Sequence, residues 1–192
     1  MLTRRFEEAF LYAAELHSTQ VRKGSSVPYI SHLMSVAGLT LEYGGGEDEA
    51  IAALLHDAVE DQGGEPTREE ILKRFGPRVS GIVDGCTDTD QEPKPPWRPR
   101  KEEYIAHLRQ APLEVRLVSA CDKLHNARSL VRDYRIYGEA IWSRFSGKRE
   151  GMLWYYRTLV GALGCDGIES LVAELDRVVT ELEMLTDGRG PA

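Results

Sequence analysis

Apolar residues along this chain recur at intervals of three and four, the period of one helix face. No run alternates convincingly in the two-residue rhythm of a half-buried strand. Phe6, Phe10, Ala13 and Ala14 predict a first helix over residues 3–18. A second, with Val36 and Leu39 inward, covers 31–43 and stops at Gly44, Gly45 and Gly46. A third over 48–61 carries Ile51, Leu54, Leu55 and Ala58, and Gly63 and Gly64 mark its end. "PTREEILKRFG" predicts a short helix with Thr67 as N-cap and Glu70 at the third helical position, a capping box. "PRVSGIVDGCT" predicts another, opened by Pro77. Further helices are expected over 100–110 and 113–131, split by Pro112, and over 149–162 and 167–186 with "GCDG" between them. "STQVRKGSSVPY" and the four-proline stretch "DTDQEPKPPWRPR" (88–100) read as loops, the second with charges and Trp97 suited to a rim. The tail "DGRGPA" reads as frayed. The expected class is all-α, a compact helical bundle with short connections.

Length and composition narrow the function. A chain of 192 residues suggests a single domain over 1–192. A net charge of -7 argues against a general nucleic-acid binder. It leaves room for a small anionic ligand held by a few local cations. Cys86, Cys121 and Cys165 lie far apart with no CxxC, which points to a reduced, cytoplasmic setting. No apolar stretch approaches 18 residues, so no membrane partner is expected. "MLTRRFEEAFLYAAEL" reads as an amphipathic helix rather than a signal peptide.

One segment conflicts with simple helix logic. "IAALLHDAVEDQGG" (51–64) begins as a buried helix, then places His56, Asp57, Glu60 and Asp61 in its last turns. The backbone dipole is negative there and disfavours carboxylates. A divalent cation would offset that cost, since such ions take histidine nitrogen and carboxylate oxygen together. His32 shares a face with Val36 and Leu39, and Asp122 interrupts the apolar helix "RLVSACDKLHNA". A buried aspartate needs a partner. Spacing alone leaves two readings: four ligands of one metal ion, or four separately satisfied core groups.

The same four residues form the H…HD…D pattern, and the chain here resembles the HD-domain metal-dependent phosphohydrolases. "QVRKGSSVPYISHLMSVAGL" (20–39), "AALLHDAVED" (52–61), "RFGPRVSGIVDGCT" (74–87) and "VSACDKLHNARSL" (118–130) are similar to successive motifs of the (p)ppGpp hydrolase domains of the RelA/SpoT family. The chain resembles the lone-domain form, the small alarmone hydrolase. The likeness spans about residues 5–162, with the helices of 149–186 closing the bundle. Roughly 60 residues follow Asn126, Ala127 and Arg128, so no synthetase half is expected after them.

The resemblance implies one divalent metal ion, Mn2+ by preference, on His32, His56, Asp57 and Asp122. It implies that Glu60 and Asp61 act on the attacking water. Helical spacing agrees, putting Glu60 about 5–6 Å from His56 between Cβ atoms, on the same face. Arg22 and Lys23 match the family's arginine-lysine pair for base and phosphate contacts, although Gly24 follows where the family varies. Lys123, Asn126 and Ser129, which follow the metal aspartate on the same helix, are implied substrate contacts, with Asn126 at the ribose. Lys148 and Arg149 stand at a helix start, where backbone N–H groups favour anions, and are candidates for the distal 5′ phosphates. Trp154, Tyr155 and Tyr156 are read as core and wall. His125 is read as packed or beside the ligands, and His17 and His107 as packing or surface.

The reaction implied is removal of the 3′-pyrophosphate from (p)ppGpp. Two other readings stay open: an HD phosphohydrolase of another nucleotide, such as (p)ppApp, or a nucleotidase or phosphodiesterase, and a non-catalytic nucleotide-sensing module. The sequence also leaves open a homo-oligomer and a companion alarmone synthetase.

Overall fold

In the computed structural model, which describes residues 1–89, 91 and 93–188, the helical reading holds with local revisions. Among the described residues the elements are α1 (Arg4–Leu16), α2 (Ile30–Glu42), α3 (Glu47–Leu55), α4 (Ala58–Asp61), α5 (Glu65–Cys86), α6 (Trp97–Leu108), α7 (Leu113–Tyr137), a 3-10 helix (Gly138–Arg144), α8 (Lys148–Leu163) and α9 (Glu169–Thr186). An isolated antiparallel bridge joins Val21 and Pro28 across the first loop. None of these helices is long and apolar enough to cross a membrane.

The centre of the bundle is α3. Residues 50–55 of it are all buried, and a helix apolar on every side belongs inside a core. α1, α2 and α5 pack around it, and α7 lies against α2, α3, α5 and α9. α8 closes the other side, packed on α6 and α9. Leu33, Ile51, Leu54, Leu55 and Leu124 are fully buried where α2, α3 and α7 meet.

Three revisions matter. The helix expected over 48–61 stops at Leu55; His56 and Asp57 form a turn, and α4 is only four residues long. The His56 Nδ1–H donates to the Ala53 carbonyl (2.8 Å), competing for the acceptor that the Asp57 N–H would use in an unbroken helix. Apolar spacing cannot register this, because Ala58 and Val59 stay buried beyond the turn. The capping box is also absent. α5 starts at Glu65 after Gly64, with Pro66 in its first turn. The Thr67 hydroxyl donates to the Gln62 carbonyl (2.6 Å), and Glu70 pairs with Arg74 (2.6 Å). Finally, α6 starts at Trp97 instead of 100, and α7 runs to Tyr137 instead of 131.

Elsewhere the breaks fall as expected. Gly76, at φ 85 and ψ 173, separates the two stretches of α5 ahead of Pro77. Asp187 and Gly188 follow α9; the rest of the tail, and Asp90 and Glu92 of the proline-rich loop, lie outside the described residues.

Candidate functional site

Three elements of the core deliver four polar side chains to one point. His32 comes from the first turn of α2, His56 and Asp57 from the turn after α3, and Asp122 from the middle of α7. Both histidines are buried. His32 Nε2 lies 3.2 Å from Asp122 Oδ1 and 3.6 Å from Asp57 Oδ2. His56 Nε2 lies 3.0 Å from Asp57 Oδ2 and 3.6 Å from Asp122 Oδ1. Ligand atoms of His32, His56 and Asp57 all fall within 4.8 Å of one another.

The rings are oriented from behind. The Ala53 carbonyl can only accept, so His56 carries its proton on Nδ1 and turns Nε2 inward. His32 Nδ1 meets His125 Nδ1 at 2.7 Å. Burial, and then the neighbouring His32, push His125 down to about 4, so its ring in that pair is neutral. Tyr29 donates its hydroxyl to Asp57 Oδ2 (2.6 Å). Lys123 and Asn126 donate to the two oxygens of Asp122.

The donor set fits a divalent cation. Both Nε2 atoms are buried without a hydrogen-bond partner, though carboxylate oxygens stand close by. A buried ring nitrogen left unpartnered is costly. Two imidazoles and two carboxylates facing one point suit a hard or borderline ion. Without such an ion, burial opposes charge on His56, but Asp57 and Asp122 outweigh it and hold its pKa well above the usual value. Against the same burial, His56 holds Asp57 well below the usual carboxylate range, and Lys123 does so for Asp122. A cation would take the place of the imidazolium proton.

Tyr29, Lys123, His125 and Asn126, which bond to these groups, line a cleft of about 880 Å³ beside them. Glu60 and Asp61 line it, as do Arg22, Lys23, Lys123, Asn126 and Ser129. Arg22 donates to Asn126 Oδ1 (2.6 Å), while the Asn126 amide donates to Asp122, so one chain of contacts runs from the loop to the Asp122 carboxylate. Lys23 stands over the Phe145 ring. Tyr155, Tyr156 and Trp97 wall the cleft. Lys148 and Arg149 are not brought into it. Lys148 is exposed, and Arg149 donates to the Thr186 carbonyl (2.6 Å) and pairs with Asp187 (3.3 Å). A basic pair at a helix start could equally cap the end of a neighbouring helix, and here Arg149 caps α9.

Residues 9–153 match the family model described as HD domain. The chain belongs to the HD-domain family. A guanosine-3′,5′-bis(diphosphate) 3′-pyrophosphohydrolase MESH1 from Xenopus tropicalis is 41% identical to it over 128 residues, 65% of this chain and 69% of that protein. A GTP pyrophosphokinase from Myxococcus xanthus is 32% identical over 65% of this chain but only 17% of its own length. Among solved structures, a metazoan ortholog of SpoT that hydrolyzes ppGpp aligns over 98% of both chains, with 28% identity and a TM-score of 0.77.

Residues of the HD domain that sequence reasoning did not single out also meet the candidate site residues. Gln20 Oε1 accepts from Gln62 (2.6 Å) and meets His17 Nδ1 (2.6 Å), which leaves its amide hydrogens for Asp61 (2.9 Å). Burial, then the nearby Asp57 charge, raise the Asp61 pKa, and Gln20 opposes them. Glu60 meets Lys94 at 2.9 Å and Arg100 at 3.9 Å. Gln20 and Tyr29 lay inside a quoted motif. Lys94 and Arg100 lay in the proline-rich loop, where only their charge marked them. His17 is buried and His107 is exposed, with its Nε2 3.2 Å from the Gly85 carbonyl.

Proposed function

We propose that this HD domain removes the 3′-pyrophosphate from alarmone nucleotides such as (p)ppGpp, giving GDP or GTP and pyrophosphate. The observation that carries the reading is the convergence of two unpartnered, buried histidine nitrogens and two carboxylates beside a nucleotide-sized cleft. The named relatives support the substrate class.

In this reading His32, His56, Asp57 and Asp122 hold one divalent ion, with Mn2+ the preferred candidate. When bound, the ion lowers the pKa of water and neutralises phosphate charge. Asp61, steadied by Gln20, and Glu60 orient the attacking water and take its proton. The water oxygen joins the 3′ phosphorus, and the bond from that phosphorus to the ribose 3′ oxygen breaks. Asn126 and Ser129 contact the ribose, and Arg22 stacks on the purine. Lys23 is assigned to phosphate.

A cytoplasmic setting is part of the reading, supported by the unpaired state of Cys86, Cys121 and Cys165. A companion alarmone synthetase is the implied source of substrate.

The test is product analysis. Metal-loaded protein is incubated with ppGpp, pppGpp and their adenine counterparts. Pyrophosphate and the nucleoside 5′-di- or triphosphate are expected. Orthophosphate or a nucleoside monophosphate would indicate another HD chemistry. No product from any of them would indicate a sensor.

A further inference from the structure

The cleft also holds a group of cations to which the roles above give no particular phosphate. Lys123 follows the metal aspartate on α7, its Nζ 2.5 Å from Asp122 Oδ2. Lys101, from α6, lies 6.0 Å from the Tyr104 ring, and Lys123 lies 5.3 Å from the same ring. Lys101 also stands 5.0 Å from the Tyr155 ring. Two ammonium groups therefore share one tyrosine in a largely buried place. Arg100 precedes Lys101 and reaches within 3.9 Å of Glu60, and Lys94 reaches Glu60 at 2.9 Å.

A buried carboxylate shapes this group. The Asp88 side chain is 7% exposed and pairs with both Arg100 and Lys101. Its Oδ1 and the Arg100 Nε are buried without hydrogen-bond partners. Four cations thus face three carboxylates, Asp88, Glu60 and Asp122, and the last is also assigned to the metal, inside a chain whose net charge is -7. Packing alone does not account for that surplus, because like charges gathered in a buried place repel and lose hydration. A multiply charged anion would relieve both costs.

We propose that Arg100 and Lys101, with Lys94 and Lys123, bind the distal phosphate of the pyrophosphoryl group that passes to water, and that Asp88 is the positioning residue for the pair. This rests on the hydrolase reading and adds a specificity role to it. The cluster flanks Glu60 and Asp122, so it lies beside the reacting phosphorus. A 3′-pyrophosphate reaches from that point into the cluster. A 3′-monophosphate ends at the metal and leaves the cluster unengaged. Charge-assisted donors on the distal phosphate then favour the longer group.

The test compares wild type with Arg100→Gln, Lys101→Met and Lys94→Ala. Each protein is titrated with pyrophosphate, orthophosphate and GDP, with manganese in excess throughout. Pyrophosphate affinity is expected to fall about tenfold in the Arg100 and Lys101 variants, the usual loss for one hydrogen bond to a charged group, and less in the Lys94 variant. GDP affinity and metal content should hold. In turnover, the preference for a nucleotide 3′-pyrophosphate over the 3′-monophosphate should fall by a similar factor. Lys94 lies in a surface loop, so its variant tests the site even if a buried one misfolds. Unchanged pyrophosphate affinity in all three, or equal loss for pyrophosphate and GDP, overturns the assignment. If wild type binds pyrophosphate through these residues but hydrolyses no 3′-pyrophosphate, the site stands and the hydrolase reading fails.

Discussion

Asp122→Ala separates the two jobs assigned to this aspartate, structural partner and metal ligand. In the metal-free protein it leaves Lys123 without its carboxylate. Breaking a buried pair by removing one member costs about 3–5 kcal/mol. The lower end applies here, because the Lys123 side chain is 14% exposed and keeps the Tyr104 ring at 5.3 Å. For a chain of this size 1 kcal/mol moves Tm by about 2–4 °C, so a loss of roughly 6–12 °C is expected in chelator. The metal adds a second effect. At a free metal concentration of about 100 times Kd, binding stabilises the wild type by about 2.7 kcal/mol, or roughly 5–11 °C. If losing one of four ligands weakens binding about a hundredfold, the same metal concentration gives only about 0.4 kcal/mol, near 1 °C. The assay is thermal unfolding of both proteins with chelator and with Mn2+, beside metal analysis per chain. Asp122→Asn serves as a control: it keeps an oxygen for Lys123, so its metal-free Tm should fall less, yet its metal shift should also vanish. An Asp122→Ala protein that keeps the full metal shift would refute the assignment of Asp122 as a ligand.

Further outcomes follow from the same contacts. Glu60→Gln and Asp61→Asn should each lower kcat by about 10²–10⁴-fold while metal stays near one per chain, since His32, His56, Asp57 and Asp122 are untouched; metal loss in step with activity would make these carboxylates ligands. Gln20→Ala removes the donor that opposes the upward push of burial and Asp57 on Asp61. A base works only when deprotonated, so the acid limb of the kcat profile, measured at saturating metal, should move to higher pH; an unmoved limb would free Asp61 from Gln20. Gly85→Ala tests packing away from the site: an added Cβ would meet the Val115 methyls at 2.7 and 2.8 Å. Overpacking of this kind costs about 1–3 kcal/mol in chemical denaturation, with metal binding unaffected.

The helices, and most of their breaks, could be read from the chain because they depend on local signals. Apolar residues at helical spacing mark the inward faces of α1, α2, α3 and α9, and the Gly76-Pro77 pair marks a break that backbone sterics demand. The candidate metal residues were legible for a related reason. His32 and Asp122 are polar groups on faces that should be apolar, a conflict visible in one dimension. Their meeting point was not. Residues 32, 56 and 122 come together only because α2 and α7 both pack near the buried α3, and sequence spacing carries no record of such long-range contacts. The break at His56 came from a side chain competing for a backbone carbonyl, a contest that no periodicity reports. Arg149 and Arg100 make the same point from opposite sides. Both are arginines beside a helix start, and charge alone cannot tell them apart. The turn into α9 left the Thr186 carbonyl beside Arg149, while buried Asp88 and the opening of α6 set Arg100 in the cleft. Residue type determined what each could bind, and tertiary packing decided which of them faces the site.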